Sequence, residues 1–196
     1  MKTGLGLKRK FRTLFSHYNL LKFWLRKIFI GFDYANLLLQ RVDKDSVLLI
    51  LKKNGAKIGE NCDIETGLTF HNCKSYSNLI IGDNCHIGKN CFFDLREKVS
   101  IGENVVISMQ CTFITHIDMS KSSISKLFKS ESHPINISDD TYIGANSTIL
   151  MGVKIHNSSF IAADSLVNKN VEPNTMVGGV PAKFIKKIES DLLNGE

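Results

Sequence analysis

His116 is the side chain in this sequence that is best suited to catalysis by proton transfer. It lies in the segment Thr-His-Ile-Asp at 115–118, directly before a polar stretch rich in Ser and Lys. A neutral imidazole, whose ordinary pKa is near ~6.5, can take a proton from a hydroxyl group at neutral pH, and such a base accelerates reactions roughly 10²–10⁴-fold. Asp118 has the charge needed to orient that imidazole or to contact a substrate.

The remaining histidines do not predict a metal centre. A catalytic zinc site of the hydratase type needs three His ligands that converge on one ion. His86, His133 and His156 are spread along the chain and lack the close pair that such a site requires. We therefore predict that no metal takes part, and that His86 and His156 are surface residues.

A repeat of six residues defines the elements that must position His116. An aliphatic residue recurs every six positions in several runs, and the residue four places later is small or β-branched each time. A period of six matches neither a helix nor a plain strand, but it fits a short strand followed by a turn. Three such units make one triangular coil, and stacked coils bury a continuous apolar column. The aliphatic residues are Ile58, Ile81, Ile87, Ile101, Ile107, Ile137, Ile143, Ile149, Ile155, Ile161 and Val167.

The positions around each aliphatic residue extend this interpretation. The next residue is often Gly, which we expect to supply a permissive backbone at the corner. The small position is occupied by four of the five cysteines, which predicts buried packing and not a disulfide or metal site: Cys62, Cys85, Cys91 and Cys111. The repeat stops at an inserted polar loop, residues 117–134, and loops of this length in a regular solenoid are usually functional.

The positive charge of the chain is concentrated near its beginning. The 196 residues have a net charge of +6, but residues 28–196 sum to −2, because residues 1–27 contain eight basic and no acidic side chains. A nucleic-acid-binding body would keep a basic face of its own, so we expect no nucleic-acid partner. The uncharged stretch within this basic region is too short to span a membrane, and lysines interrupt any signal-peptide core, which favours a cytoplasmic location.

Residues 11–28 have the pattern of an amphipathic helix. Two interpretations of its apolar stripe stay open. The stripe packs on the body of the same chain or on a neighbouring subunit, or residues 1–30 make a peripheral contact with anionic lipid through Trp24 and the basic side chains. The stripe consists of Phe11, Leu14, Phe15, Tyr18, Leu21, Leu25 and Ile28.

Three stretches resemble the hexapeptide-repeat acyltransferases, especially the galactoside, maltose and polysaccharide O-acetyltransferases. They are residues 115–118, the segment IGANSTILMGV at 143–153 and the segment VGGVPAK at 177–183, within a similarity that covers residues 55–187. The resemblance implies a left-handed parallel β-helix and a homotrimer with active sites between subunits. It also implies direct transfer of an acetyl group from acetyl-CoA, with His116 as the general base.

The resemblance also implies roles for other residues. Asp94 follows Phe92 and Phe93 at a point where relatives place an acceptor-contacting Asn or Asp, and it could instead help to orient the imidazole. Tyr142 stands where many relatives have Trp and would line the acceptor pocket. The residues expected along acetyl-CoA are Ala145 and Ala163 at the pantetheine arm, Asn168 and Lys169 at its nucleotide end, and Lys183 and Lys186 at the phosphates.

The sequence thus predicts an all-β solenoid between two appendages. Residues 1–54 form a basic helical region, residues 55–175 form the β-helix with its loop, and residues 176–196 form an extension with a short C-terminal helix. The expected activity is O-acetylation of a sugar hydroxyl in a capsule, lipopolysaccharide or exopolysaccharide unit. N-acetylation of an amino sugar, acetylation of an antibiotic, and a non-enzymatic solenoid scaffold are the alternatives.

Overall fold

The computed structural model describes residues 3–189, in which a helical region precedes a parallel β-solenoid. Residues 1–2 and 190–196 lie outside this description. The N-cap of the third helix is Asp43, whose carboxylate accepts a hydrogen bond from the Ser46 backbone N–H at 3.1 Å. The helices are α1 (Thr3–Phe29), α2 (Phe32–Asn36) and α3 (Lys44–Lys53), with 3₁₀ turns at Leu37–Gln40 and Ser123–Lys126.

Short strands alternate among three sheets, called A, B and C in the order in which the chain enters them. Sheet A contains β1 (Lys57–Ile58), β4 (Leu79–Ile81), β7 (Val99–Ile101), β12 (Ile135–Ile137) and β15 (Lys154–Ile155). Sheet B contains β2 (Asp63–Ile64), β5 (His86–Ile87), β8 (Val106–Ile107), β13 (Tyr142–Ile143), β16 (Phe160–Ile161), β18 (Thr175–Gly178) and β19 (Lys183–Lys187). Sheet C contains β3 (Thr69–His71), β6 (Phe92–Asp94), β9 (Thr112–Phe113), β14 (Thr148–Ile149) and β17 (Leu166–Val167).

These strands build about six coils, and the predicted left-handed parallel β-helix is confirmed. Pairing in register places one apolar residue from each strand in a column inside the prism, as Ile81 pairs with Ile101 in sheet A and Ile87 with Ile107 in sheet B. Full burial of one such side chain contributes roughly 1.5–3 kcal/mol. The column of sheet C is aromatic in its first coils, where the ring of Phe93 stacks on Phe113 at 4.8 Å.

Most corners are turned by Asn or Asp in the left-handed region, and the glycines after the aliphatic residues have another purpose. Asn104, for example, has φ 56°, in the left-handed region that Asn tolerates better than most residues. Gly144 is needed because a Cβ there would lie 2.5 Å from the backbone N of Ala163 in the next coil. The prediction that these glycines supply a permissive backbone was wrong, since close packing of successive coils is what excludes a side chain.

Three of the four cysteines of the repeat, Cys85, Cys91 and Cys111, are buried as predicted, whereas Cys62 is half-buried. The Sγ atom of Cys85 donates to the Gly102 carbonyl of the following coil at 3.0 Å, and Cys111 likewise donates to Gly144 at 3.3 Å. Both side chains are buried, and burial raises the pKa of Cys85 to about 11, so this thiol stays protonated at neutral pH. These cysteines therefore pack the corners of the core.

Helix α1 packs on the body through a face other than the apolar stripe. Phe23 is fully buried, and Asn19 donates to the hydroxyl of Ser46 in α3 at 2.9 Å. The side chains of the stripe point away from this contact and are exposed. The interpretation in which the stripe packs on the body of its own chain is therefore wrong, because the opposite side of the helix, with Ser16, Asn19 and Phe23, takes that place.

The C-terminal region differs from the prediction in its described part. Instead of a short helix, β19 folds back antiparallel to β18, so residues 176–189 end the prism as a hairpin. Residues 190–196, where the rest of the predicted extension falls, lie outside the description. Among the described helices, none has an apolar stretch long enough to cross a membrane.

Candidate active site

His116 lies on the edge of the prism between sheets C and A. The chain leaves the solenoid after β9, and His116 begins strand β10 (His116–Ile117), which pairs antiparallel with β11 (Glu131–Ser132). This hairpin carries the inserted loop, after which β12 resumes the coil. The imidazole side chain is 18% exposed, so its neighbours fix its orientation while one side stays accessible.

Asp94 orients the imidazole from the preceding coil. Its Oδ2 atom lies 2.5 Å from Nδ1 of His116. Because an ionised carboxylate only accepts hydrogen bonds, this contact assigns the proton of the neutral ring to Nδ1 and leaves Nε2 as a proton acceptor. Asp94 itself is only 1% exposed. The arrangement is that of a general base held in one tautomer by a buried carboxylate.

Hydrogen bonds keep the carboxyl group of Asp94 ionised in spite of its burial. Burial alone raises the pKa of Asp94, but hydrogen bonds from His116, Asn72 and Thr115 outweigh that effect and lower it to about 2. The hydroxyl of Thr115 lies 2.8 Å from Oδ2, and its backbone N–H donates to the same oxygen at 2.9 Å. Asp94 is therefore a fixed negative charge that would stabilise a protonated His116.

Asn72 is a third member of this group, and the sequence analysis missed it. Its Nδ2 donates to Oδ1 of Asp94 at 3.0 Å and lies 3.4 Å from Nε2 of His116. Asn72 is 22 residues before Asp94, which is in turn 22 residues before His116. This equal spacing, together with an Asn at a left-handed corner, is the sequence signal that could have revealed it.

Asp118 is held by the loop and not by the imidazole. Its Oδ1 accepts hydrogen bonds from the Ser120 backbone N–H at 2.9 Å and from the Ser130 hydroxyl at 3.2 Å. These bonds lower the pKa of Asp118 to about 2. Arg96 approaches its other oxygen at 4.0 Å. Asp118 thus closes the base of the loop, and Asp94 takes the orienting role.

An open cavity of about 670 Å³ adjoins this group of residues. Its wall includes Asn72 and Arg96, so the cavity borders the side of the prism on which Asp94 and His116 meet. The opposite wall comes from the helical region, through Asn36 and Leu37. The cavity is large enough for a sugar and is lined by amide, basic, acidic and apolar groups.

Known proteins of similar sequence decide the family. A family model described as a hexapeptide repeat of succinyl-transferase matches residues 78–109 and 134–169. The chain is 33% identical over 145 residues to the galactoside O-acetyltransferase of Escherichia coli K12, which covers 71% of this chain and 67% of that protein. The chain belongs to the hexapeptide-repeat acyltransferases. It is therefore an enzyme of the acyl-transfer class.

Two further comparisons agree with this hexapeptide-repeat acyltransferase fold. A chloramphenicol acetyltransferase of Klebsiella aerogenes is 31% identical over 133 residues, which span 64% of this chain but only 62% of that protein. A hexapeptide-repeat acetyltransferase of Vibrio cholerae superposes with a TM-score of 0.69 at 25% identity, with 89% of each chain covered. The same Vibrio protein has also been solved with acetyl coenzyme A.

In this acyltransferase, the residues predicted to hold the pantetheine arm are not beside His116. Ala145 follows β13 and Ala163 follows β16, so both lie on the edge between sheets B and C. Asn168 and Lys169 follow β17 and lie on the edge between sheets C and A, the same edge as His116. Within one chain, the imidazole and the two alanines occupy different edges of the prism.

The other predicted residues are placed at the end of the prism and on sheet B. Lys183 and Lys186 are exposed in β19. A cavity of about 350 Å³ beside this strand is lined by Asn168, Lys169 and Lys187, among others. Tyr142 lies on the outer face of sheet B, where its ring stacks on Phe160 at 4.6 Å.

Within residues 3–189, His86 and His133 do not form a second pair of this kind, because the carboxylates beside them are exposed. His86 contacts the exposed Asp63 at 3.1 Å on sheet B, and His133 lies 3.6 Å from Glu131 in the loop hairpin. In the described part of the chain, no three His, Cys, Asp or Glu side chains converge closely enough to hold a metal ion.

Proposed function

We propose that this protein transfers an acetyl group from acetyl-CoA to a sugar hydroxyl. The observation that carries the proposal is the buried Asp94 carboxylate 2.5 Å from Nδ1 of a partly exposed His116. Asn72, which donates to this carboxylate, also lines a cavity of about 670 Å³. The donor is inferred from relatives, among them the Vibrio protein solved with acetyl coenzyme A. Nothing in the proposed reaction needs a metal ion.

The proposed chemistry is a direct transfer in which His116 handles one proton. Nε2 removes the proton of the acceptor hydroxyl while its oxygen attacks the thioester carbonyl carbon. As the tetrahedral intermediate collapses, the carbon–sulfur bond breaks and the leaving thiolate takes the proton from Nε2. Asp94 stabilises the imidazolium that exists between these two transfers, so His116 returns to its starting tautomer.

A hydroxyl acceptor suits this arrangement better than an amine does. An alcohol has a pKa far above 7 and needs a base during attack, whereas a neutral amine already carries a nucleophilic lone pair. A buried ionised carboxylate behind the imidazole fixes its orientation and stabilises the imidazolium that forms when a hydroxyl loses its proton. The 33% identity to a galactoside O-acetyltransferase supports the same class of acceptor. A unit of a surface polysaccharide is the proposed setting.

We also propose that the active enzyme is a trimer with its sites between subunits. The pantetheine residues Ala145 and Ala163 lie on one edge of the prism and His116 lies on another. In a cyclic trimer, one edge of each prism faces a different edge of the neighbouring prism. A donor lying between two prisms would then contact the two alanines of one subunit and the imidazole of the next, with Tyr142 on the wall of the site.

The proposed role of the lysines is to hold the phosphates of the donor. Lys183 and Lys186 are exposed at the end of sheet B, where they would supply charge without the paired hydrogen bonds that Arg forms. Asn168 and Lys169 line the neighbouring cavity and would contact the nucleotide end. The proposed location is cytoplasmic, with a peripheral membrane contact through residues 1–30.

The decisive experiment measures thiol release from acetyl-CoA in the presence of a panel of sugars. We expect turnover with a neutral sugar acceptor and a loss of about 10²–10⁴-fold in kcat for His116→Ala. His86→Ala is the matched control, because His86 also contacts a carboxylate but lies on an exposed sheet, and it should keep full activity. Equal turnover by wild type and His116→Ala would contradict the mechanism.

Acetylation of an antibiotic is the second candidate, because the chain is 31% identical to a chloramphenicol acetyltransferase. The same assay separates the two when chloramphenicol and an amino sugar are added to the panel. For an amine acceptor, His116→Ala should retain much more activity than it does with a hydroxyl acceptor. The acceptor with the highest kcat/KM identifies the substrate class.

A further inference from the structure

We propose that the outer face of α1 binds the surface of an anionic lipid bilayer. This outer face consists of the apolar stripe together with Trp24. The consequence for the substrate, that the acceptor is a sugar carried by a lipid, rests on the function proposed above. The binding of the bilayer itself does not.

The outer face is an unusually large apolar surface for one chain. Its eight side chains are 47–68% exposed although they include Phe11, Tyr18 and Trp24. They continue at the end of the helix in Phe29 and Ile30, which are 79% and 63% exposed. A contiguous apolar surface of this extent marks an interaction site. Because the helix packs on α3 through its opposite side, this face is available to a partner.

The charges around the outer face favour an anionic bilayer as that partner. The helix presents Lys8, Arg9, Lys10, Lys22 and Arg26, and there is no acidic residue before Asp33. Within the described residues, Arg12 is the one basic side chain of α1 that forms a salt bridge, with Asp45. A helix with an apolar side rich in aromatic residues and flanked by lysines and arginines is the kind that lies in a lipid headgroup layer.

A second copy of this chain is a poorer occupant of the outer face. Two copies in a symmetric contact would bring their α1 cations together. Two other exposed apolar clusters in the described chain are also basic: Leu127 and Phe128 lie between Lys126 and Lys129, and Phe184 and Ile185 lie between Lys183 and Lys186. Either cluster would repel the same cations.

The outer face adjoins a groove that shares one wall residue, Leu37, with the cavity that Asn72 lines. This groove of about 490 Å³ runs from Phe15, Lys22 and Arg26 to Tyr34 and Leu37. Lipid contact along α1 would therefore hold the candidate acceptor cavity near the headgroups, where a sugar on a lipid carrier would be presented.

Trp24 provides a direct test with the unaltered full chain, because it is the single Trp of the protein. We expect its emission to shift to shorter wavelength on addition of vesicles containing 30% phosphatidylglycerol in phosphatidylcholine. Pure phosphatidylcholine vesicles should have little effect. Raising the salt should weaken the response, since screening reduces attraction between exposed charges. Co-sedimentation with the same vesicles measures the bound fraction.

The variant Leu14→Ser/Leu21→Ser/Leu25→Ser removes apolar surface from exposed positions, so the fold should be kept. We expect its vesicle binding to fall at least tenfold. Val106→Ser/Met109→Ser is the matched control, because these side chains are 38% and 53% exposed on the prism, away from α1. The control should bind vesicles as well as the wild type does.

Two results would overturn the proposal. One is that the wild type does not bind anionic vesicles. The other is that Trp24 emits at short wavelength without lipid and that the triple variant changes the oligomeric state, which would make the outer face a subunit contact.

Thiol release with a soluble sugar separates this proposal from the proposed function. A triple variant that loses vesicle binding but keeps that activity supports both, whereas vesicle binding without acetyl transfer to any sugar leaves only the docking surface.

Discussion

Asp94 and His116 are 22 residues apart in the sequence, and their side chains meet with Oδ2 at 2.5 Å from Nδ1. The contact forms because Asp94 ends β6 and His116 follows β9, the equivalent strand of the next coil. Asn72 follows β3 in the coil before and donates to the same carboxylate. Residues that are unrelated in local sequence thus become neighbours on one edge of the prism.

Substitution of Asp94 by Asn tests the orientation of the imidazole. The amide can donate to Nδ1 and so favours the tautomer with its proton on Nε2, which cannot act as a base. We expect kcat for the acceptor found in the thiol assay to fall about 10²–10⁴-fold with a smaller change in KM. Asp63→Asn, next to His86, should have no such effect. An Asp94→Asn enzyme with wild-type kcat would show that the pair is not catalytic.

The lowered pKa of Asp94 also predicts how stability depends on pH. The pKa is 3.8 for an unperturbed Asp and about 2 in the folded chain, so the ionised form stabilises the fold by about 2 kcal/mol. This contribution is complete above about pH 4 and is lost as the pH falls towards 2. Urea unfolding at several pH values should show a stability gap between wild type and Asp94→Asn that narrows over this range. Asp118→Asn should show a smaller gap, since Asp118 is exposed and water screens its interactions.

The close approach of successive coils predicts a strong effect of Gly144→Ala. A Cβ would lie 2.5 Å from the backbone N of Ala163, and neither backbone can move without disturbing the ladder. We expect a loss of about 2 kcal/mol or more in the free energy of unfolding. Gly152→Ala is the comparison, because Gly152 has φ 76° but a Cβ would meet no atom closer than 3.5 Å. Its cost should be about 1 kcal/mol, and an equal or larger cost would argue against the packing explanation.

Side-chain hydrogen bonds between the corners of successive coils predict different effects for two substitutions of Asn104. Its Oδ1 accepts a hydrogen bond from Nδ2 of Asn84 at 3.2 Å, its Nδ2 donates to Oδ1 of Asp140 at 3.1 Å, and its φ is 56°. Both Asn104→Gly and Asn104→Ala lose these bonds, but only Ala is strained in the left-handed region. Thermal or urea unfolding should therefore find Ala less stable than Gly by about 1 kcal/mol. The reverse order would mean that the corner conformation is not what selects Asn.

Sequence reasoning recovered part of the candidate site. The single suitable histidine stood out because the repeat stops beside it, and Asp94 was named because the resemblance places an acceptor-contacting Asn or Asp after Phe92 and Phe93. Asn72 was missed because the stretch around it has no six-residue pattern. The sequence also left open whether Asp94 or Asp118 orients the imidazole of His116. Local spacing does not indicate which carboxylate a ring will meet across two coils.

The sequence by itself determined the solenoid and its buried columns, because a six-residue period leaves one way to bury every aliphatic side chain. It also determined the amphipathic character of α1, because apolar residues recur there at helical spacing. Only the tertiary structure decided which side of α1 packs on the body, that β19 and not a helix follows the last coil, and that Asp94 meets His116. These outcomes depend on contacts between segments far apart in the chain. Their energies are set by shape and hydrogen-bond geometry, which a linear pattern does not record.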